Sequence, residues 1–75
     1  MALVTDLRSQ PLQAVTKHAA VDCTYTVVTH EGQKFLQLDT YGSLARQIPG
    51  KKSQSLRFSP EALQQLKQII QENGL

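Results

Sequence analysis

Residues 34–70 read KFLQLDTYGSLARQIPGKKSQSLRFSPEALQQLKQII, and this stretch decides the fold. It contains two runs typical of β-strands, separated by a basic segment with the turn signal Pro49-Gly50. A capped amphipathic helix follows the second run. No catalytic constellation lies within it, so the stretch favours a binding module over an enzyme.

Alternating apolar and polar residues mark both strands. Leu36 and Leu38 alternate with polar neighbours in a predicted strand from Lys34 to Tyr41. The same alternation predicts the last strand over residues 53–58, with Leu56 and Phe58 on one side and Ser55 and Arg57 on the other. Each strand should therefore have one buried face and one wet face. Residues 44–48 are either a short strand or an irregular edge.

A third strand precedes these two. Residues 23–29, CTYTVVT, are rich in the β-branched and aromatic types that suit a pleated surface. His30-Glu31-Gly32-Gln33 supplies a turn in which Gly32 can take a positive φ. We expect this strand and residues 34–41 to form an antiparallel hairpin.

The C-terminal helix has a clear start and a clear end. Ser59 is a favourable N-cap, and Pro60 suits the first helical position. Asn73-Gly74 is a typical stop signal. An apolar stripe follows the helix and either covers the sheet or pairs with a second copy across a two-fold axis; its members are Ala62, Leu63, Leu66, Ile69 and Ile70.

The N-terminal part is less clearly patterned. Residues 1–8 carry no strong pattern and are expected to fray. Ser9 and Pro11 can open a helix, and Leu12, Val15 and Ala19 form a narrow apolar stripe. The spacing predicts a short helix over residues 10–19. The whole is therefore one small domain over residues 9–75, with no internal repeat.

The composition limits the ways in which this domain can be stabilised. A chain of 75 residues with one cysteine has no internal disulfide. His18 and His30 stand alone, so no metal cage or other cofactor is expected. Oligomerisation is then the favoured source of extra stability. The lone thiol, and the lack of an apolar N-terminal signal or a membrane-spanning run, favour the cytoplasm.

Several single residues have both a catalytic and a structural interpretation. Cys23 is a conceivable nucleophile, but it is expected to be a small buried residue. His18 and His30 are expected on the surface. Asp39 is expected to form an ordinary cross-strand charge pair with Arg57 or Lys34.

A basic cluster is the sharpest electrostatic feature. Arg46, Lys51, Lys52 and Arg57 lie in a window without acidic residues between Asp39 and Glu61, in a chain of net charge +2. Either the cluster protects a sheet edge from wrong pairing, or it contacts phosphates. Tyr25 and Tyr41 are candidate stacking platforms for unpaired bases, with Phe35 a further aromatic, whereas Phe58 is expected in the core.

The segments YTVVTHEGQKFLQLDTYGS and IPGKKSQSLRFSPEALQQLKQII resemble the C-terminal domain of the eukaryotic transcriptional positive cofactor 4 and its bacterial relatives, or a Whirly-like single-stranded-DNA-binding domain. The likeness covers about residues 25–70. It rests on short motifs: Leu36, Leu38, Tyr41, Pro49, Gly50, Lys51, Lys52, Leu56, Ser59, Pro60, Glu61, Leu66, and Ile69 or Ile70.

The resemblance implies a curved four-stranded antiparallel sheet followed by a helix. It also implies a homodimer through the helices and single-stranded DNA bound in grooves of the sheets. Lys51 and Lys52 match the family's basic loop, and Tyr41 matches its strand-end aromatic. Three features depart from the family: Leu63 replaces a helix-opening Trp, Asp39 replaces a basic strand residue, and the N-terminal helix is additional.

The fold prediction is thus a small α+β domain: a curved antiparallel sheet of three or four strands, a short N-terminal helix and a C-terminal amphipathic helix. The leading function is non-enzymatic binding of single-stranded DNA or RNA by a homodimer, as in a transcription or DNA-maintenance coactivator. A protein–protein interaction module or accessory subunit is the alternative, and an enzyme using Cys23 is a third hypothesis. The expected sites are a nucleic-acid surface (Arg46, Lys51, Lys52, Arg57, Tyr25, Tyr41) and a dimer interface (Leu63, Leu66, Ile69, Ile70).

Overall fold

The computed structural model describes residues 1–12, 14–42 and 52–75. Its elements are β1 (Ala2–Val4), β2 (Cys23–His30), β3 (Gln33–Tyr41), β4 (Lys52–Phe58) and α1 (Pro60–Glu72). The strands form one sheet in the order β1-β4-β3-β2. The α+β class is confirmed. The sheet is mixed, however, because β1 lies parallel to β4 while the other neighbours are antiparallel.

A tight turn joins β2 to β3. His30 pairs with Gln33, so only Glu31 and Gly32 lie in the loop, with φ angles of 51° and 76°. Two consecutive positive φ angles define the type I′ turn that matches the twist of a two-residue hairpin. The predicted hairpin is confirmed, and the turn requires a positive φ of Glu31 as well as of Gly32.

The strand register gives the sheet two chemically different faces. Leu36 pairs with Phe58 and Leu38 with Leu56, so the apolar residues that alternation assigned to one side of each strand share a face. We call this side the apolar face; its two rows are Val4, Phe58, Leu36 and Val27, and Ala2, Leu56, Leu38 and Tyr25. We call the opposite side the polar face; it carries Thr24, Thr26, Gln37, Asp39, Tyr41, Lys52, Ser55 and Arg57, with Leu3 of β1 beside Arg57.

The predicted N-terminal helix is not seen. Residues 1–12 and 14–22 contain no helix, and the exposed fractions of Leu12 and Val15 are 75% and 87%. A helix of ten residues is marginal in water unless its apolar stripe packs against something. This stripe is narrow and lies on no other element, so the prediction over residues 10–19 is wrong. The chain instead begins with β1, which the sequence does not predict.

The C-terminal helix follows its predicted signals. The Ser59 Oγ accepts a hydrogen bond from the Ala62 backbone N–H at 3.1 Å, and Pro60 is the first helical residue. At the other end Asn73 is the C-cap and Gly74 has φ 64°. The Leu75 N–H then bonds to the Ile70 carbonyl at 3.0 Å, as in a Schellman motif. In the part of the chain that the structure describes, no helix is long and apolar enough to cross a membrane.

The core is small. Among the apolar residues of the described ranges, only Phe58 and Ala62 are buried. Cys23, which was expected to be buried, is exposed because it lies on β2, the outer strand of the sheet, opposite Thr40. His18 and His30 are exposed, as predicted. The possible strand over residues 44–48 and the Pro49-Gly50 turn lie outside the described residues.

Candidate nucleic-acid interface

The structure brings three of the predicted nucleic-acid residues to one side of the sheet. Arg57 pairs with Gln37, and Lys52 pairs with Tyr41 beyond a β-bulge at Thr40/Tyr41. Because paired residues share a face, Arg57, Lys52 and Tyr41 all belong to the polar face. Lys52 and Arg57 stand at opposite ends of β4, and at the usual rise per residue their Cα atoms are about 17 Å apart.

The remaining predicted residues are placed elsewhere. Tyr25 pairs with Leu38 on the apolar face, where its exposed fraction is 74%. One strand of nucleic acid that follows the polar face can therefore reach Tyr41 but not Tyr25. Arg46 and Lys51 lie outside the described residues.

A chain of hydrogen bonds links Arg57 to the centre of the polar face. The Arg57 Nη2 and Nε donate to the Gln37 Oε1 at 2.7 and 3.3 Å. The Gln37 Nε2 in turn donates to both carboxylate oxygens of Asp39, at 3.1 and 3.2 Å. The amide of Gln37 thus connects the guanidinium to the carboxylate, and the donors of Arg57 on one side and the acceptors of Asp39 on the other fix its orientation.

Asp39 receives two further partners from β4. The Ser55 hydroxyl donates to its Oδ1 at 2.5 Å, and the Lys52 Nζ lies 3.5 Å from its Oδ2. Its side chain is 4% exposed, whereas that of Lys52 is 57% exposed. A carboxylate at this depth is stable only when paired and hydrogen-bonded, as it is here.

Two expectations about Asp39 are therefore corrected. Its position was predicted to be wet, yet Asp39 is 3% and Gln37 is 9% exposed. Its charge partner was predicted to be Arg57 or Lys34. The register instead places Arg57 opposite Gln37. Lys52 pairs with Tyr41, and its ammonium lies beside the Asp39 carboxylate.

The hydrogen bonds control the electrostatics of the Asp39 carboxyl. The hydrogen bond from Ser55 is the largest cause that lowers its pKa below the usual value, and burial opposes that shift. The Gln37 amide and the Lys52 ammonium lower the pKa further. Asp39 is therefore an anion at neutral pH.

Tyr41 is held at the end of β3. Its hydroxyl lies 3.1 Å from the Thr24 Oγ1 on β2, and the residue is half-buried. This contact fixes one end of the side chain beside the polar network. A ring held in place loses little entropy when a base stacks on it, which suits the predicted role.

An open cleft adjoins the basic end of this face. It has a volume of about 630 Å³ and is lined by Met1, Ala2 and residues 52–56. It lies where β1 begins, beside the part of β4 that precedes their pairing. Such an open cleft suits an extended chain better than an enclosed small molecule. Within the described ranges, no group of three or more His, Cys, Asp or Glu side chains could hold a metal ion.

The predicted dimer residues form a continuous stripe on α1. Leu63, Leu66 and Ile69 are half-buried, and Ile70 is 42% exposed. None of the four is buried within the single chain, so this stripe keeps apolar area that a second molecule can cover.

Sequence reasoning missed two members of the polar network, Gln37 and Ser55. Alternation in β3 and β4 placed both residues on the same side as Asp39 and Arg57. Their roles depend on which residue of β4 stands opposite which residue of β3. The period-two alternation of each strand does not specify that register.

Comparison with protein-family models, with curated proteins and with solved structures found no match for this chain. Any statement about its function therefore rests on the fold and on the polar face. The resemblance to the positive cofactor 4 domain stays an expectation.

Proposed function

We propose that the protein is a non-enzymatic single-stranded nucleic-acid-binding module that works as a homodimer. The observation that carries this proposal is the gathering of Lys52, Arg57 and Tyr41 on one face of the sheet. The two cations suit backbone phosphates, and the aromatic ring suits an unstacked base. Arg46 and Lys51 belong to the same acid-free segment and add phosphate contacts.

The surface of the isolated chain supports the homodimer. The chain exposes 6635 Å². A compact monomer of this mass is expected to expose about 4,600 Å². The difference is larger than the roughly 800 Å² that each partner buries in a standard interface. A second copy that covers the α1 stripe would remove part of this excess and enlarge a core that has only Phe58 and Ala62.

The test is a titration of a labelled oligothymidylate at low and high salt. Binding should weaken linearly in the logarithm of salt concentration, with a slope of about −0.7 for each phosphate contact. Arg57→Ala should weaken binding and make the slope shallower by about 0.7 per lost contact. Lys67→Ala removes the same charge from the exposed side of α1 and is the matched control.

The two tyrosines supply a second matched pair. Tyr41→Leu should lose about 1–3 kcal/mol of binding free energy if one base stacks there. Tyr25→Leu changes an exposed ring on the opposite face and should leave binding unchanged. Duplex DNA should bind less well, because its bases are not free to stack. A folded wild-type sample that binds no oligonucleotide at low salt would refute the proposal.

A second function class has its own supporting observation. On the apolar face the exposed fractions of Tyr25, Val27 and Leu56 are 74%, 60% and 41%. Neighbouring apolar side chains at this exposure are typical of protein interaction sites. A protein-interaction module or accessory subunit is therefore the alternative that a negative oligonucleotide titration would favour.

A further inference from the structure

We propose that Asp39 takes the place of a nucleic-acid phosphate on the polar face: it occupies Lys52 in the free protein and thereby lowers affinity for polyanions. This inference rests on the proposed function, because it concerns the same surface. It makes Asp39 a positioning residue that sets how tightly that surface binds, although Asp39 itself need not touch the ligand.

The geometry places the carboxylate where it competes with phosphate. The Lys52 Nζ lies 3.5 Å from the Asp39 Oδ2, while the lysine side chain remains 57% exposed. An incoming phosphate can reach this ammonium only by sharing it with the carboxylate. The ion pair that forms then replaces one already present, so the net electrostatic gain is small.

The same carboxylate also influences Arg57, but through an intermediary. The guanidinium donates to the Gln37 Oε1, and the Gln37 Nε2 donates to Asp39. Gln37 therefore stands between the guanidinium and the carboxylate, and Arg57 has no ion pair with Asp39. Arg57 is therefore the more available phosphate contact in the wild-type protein, and the Asp39 carboxylate weakens the contribution of Lys52.

Fixing the register between β3 and β4 is the other role open to Asp39. Its bond from Ser55 crosses from one strand to the other, and loss of that bond destabilises the sheet. The two roles predict opposite signs. A register defect lowers affinity, because less protein is folded, whereas removal of a competing anion raises affinity.

The decisive variant is Asp39→Asn, titrated with the labelled oligothymidylate beside the wild type. Release of one lysine should add one phosphate contact per protomer and steepen the salt slope by about 0.7. At 0.1 M salt that contact corresponds to an affinity gain of about fivefold. Asp39→Ser keeps a hydroxyl for the Gln37 amide and is the second variant if Asp39→Asn does not fold.

Asp6→Asn is the matched control. It makes the same change in net charge at a carboxylate bound to Arg8 and to Gln65 of α1. A general increase in positive charge would raise affinity equally in both variants. We expect less than about a twofold change for Asp6→Asn, because salt screens distant charges.

Lys52→Ala completes a double-mutant cycle with Asp39→Asn. In the wild type it should change affinity little, since the lysine is already paired. In the Asp39→Asn background it should abolish the gain. Thermal unfolding of each variant confirms that the folded protein is being compared.

The outcomes separate this inference from the proposed function. If the wild type binds and Asp39→Asn binds no more tightly than Asp6→Asn, the role of Asp39 is refuted and the proposed function stands. If neither the wild type nor Asp39→Asn binds, both are refuted. If only Asp39→Asn binds, the inference is supported and the natural chain is not a nucleic-acid-binding protein on this face.

Discussion

Protonation of Asp39 would affect contacts with three other side chains. Its carboxylate accepts hydrogen bonds from Ser55 and Gln37 and lies beside Lys52. Protonation would remove the negative charge with which Ser55, Gln37 and Lys52 interact. Asp39 therefore makes the stability of the sheet depend on pH. In the proposal above, it also sets how strongly the polar face attracts a polyanion.

The pH dependence of stability follows from the direction of the pKa shift. Ser55 above all holds the pKa of Asp39 below its usual value in the folded protein. Its contribution to the free energy of unfolding is then fully present above the unfolded pKa of about 4. It is lost as the pH falls through the lower, folded pKa.

Urea unfolding between neutral and strongly acidic pH measures this loss. Below about pH 4 the wild type should lose stability more steeply than Asp39→Asn, which has no carboxylate to protonate. Hydrogen bonds from Gln65 first, and then Arg8, also lower the pKa of Asp6, so Asp6→Asn should also reduce the loss of stability below about pH 4. Equal slopes for the wild type and Asp39→Asn would show that the folded state does not favour the Asp39 carboxylate.

The sequence predicts the faces of these residues but not their partners. Alternation assigned Leu36 and Leu38 to one side and Asp39 to the other, because a strand has a period of two. Alternation does not fix the cross-strand register or the bulge at Thr40/Tyr41. Both features depend on tertiary pairing, and so the burial of Asp39 and its contact with Lys52 came only from the structure.

At the scale of elements, local chemistry accounts for where α1 begins and ends. Its N-cap, first-turn proline and C-terminal glycine each satisfy or remove a backbone group that the helix end leaves unpaired. These signals act within a few residues, and for that reason the sequence alone places the helix correctly.

The N-cap yields a direct test of this local account. Ser59→Ala removes the acceptor for the Ala62 N–H, at a site that is 4% exposed. The free energy of unfolding should fall by about 0.5–2 kcal/mol. Ser53→Ala changes an exposed serine on β4 and is the control. Equal denaturation midpoints for both variants would show that the cap bond contributes nothing.

The N-terminal elements show why the rest could not be predicted. A narrow stripe at helical spacing suggested a helix over residues 10–19, but nothing packs on Leu12 or Val15. Conversely, Ala2–Val4 has no strand pattern of its own and pairs only because the edge of β4 is available. Tertiary contacts decide both cases, and local patterns do not encode them.

At the scale of the whole molecule, the chain has more surface than a compact monomer of its size. Uncovered apolar area lies on the α1 stripe, on the apolar face of the sheet and along the N-terminal segment, where Leu3, Leu12 and Val15 are exposed. A dimer that covers the first leaves the second accessible. In the proposed dimer, assembly would use the α1 stripe and ligand binding would use the polar face.

Leu66 tests the assembly. It is only half-buried in the single chain, and a second copy would bury it fully. If the dimer forms through α1, Leu66→Ala should cost about 2–5 kcal/mol, as for a fully buried leucine. Gln68→Ala on the exposed side of the helix is the control.

Light scattering should report twice the chain mass of 8.3 kDa for the wild type. Leu66→Ala should shift the sample toward the monomer, and the midpoint of unfolding should depend on protein concentration. A wild-type monomer that stays folded on dilution would contradict the dimer. Oligonucleotide binding by that monomer would leave the nucleic-acid role intact.

The parallel pairing of β1 sets an order of folding. Ala2 and Val4 meet partners more than fifty residues away in sequence, whereas the β2–β3 hairpin closes through a two-residue turn. Long loops cost more entropy to close, so the hairpin should form early and β1 should dock last. A three-residue edge strand should also detach first in transient openings. Each opening exposes the unpaired edge of β4, and a strand from another molecule could then pair with it. β1 therefore protects this edge of the sheet from intermolecular pairing.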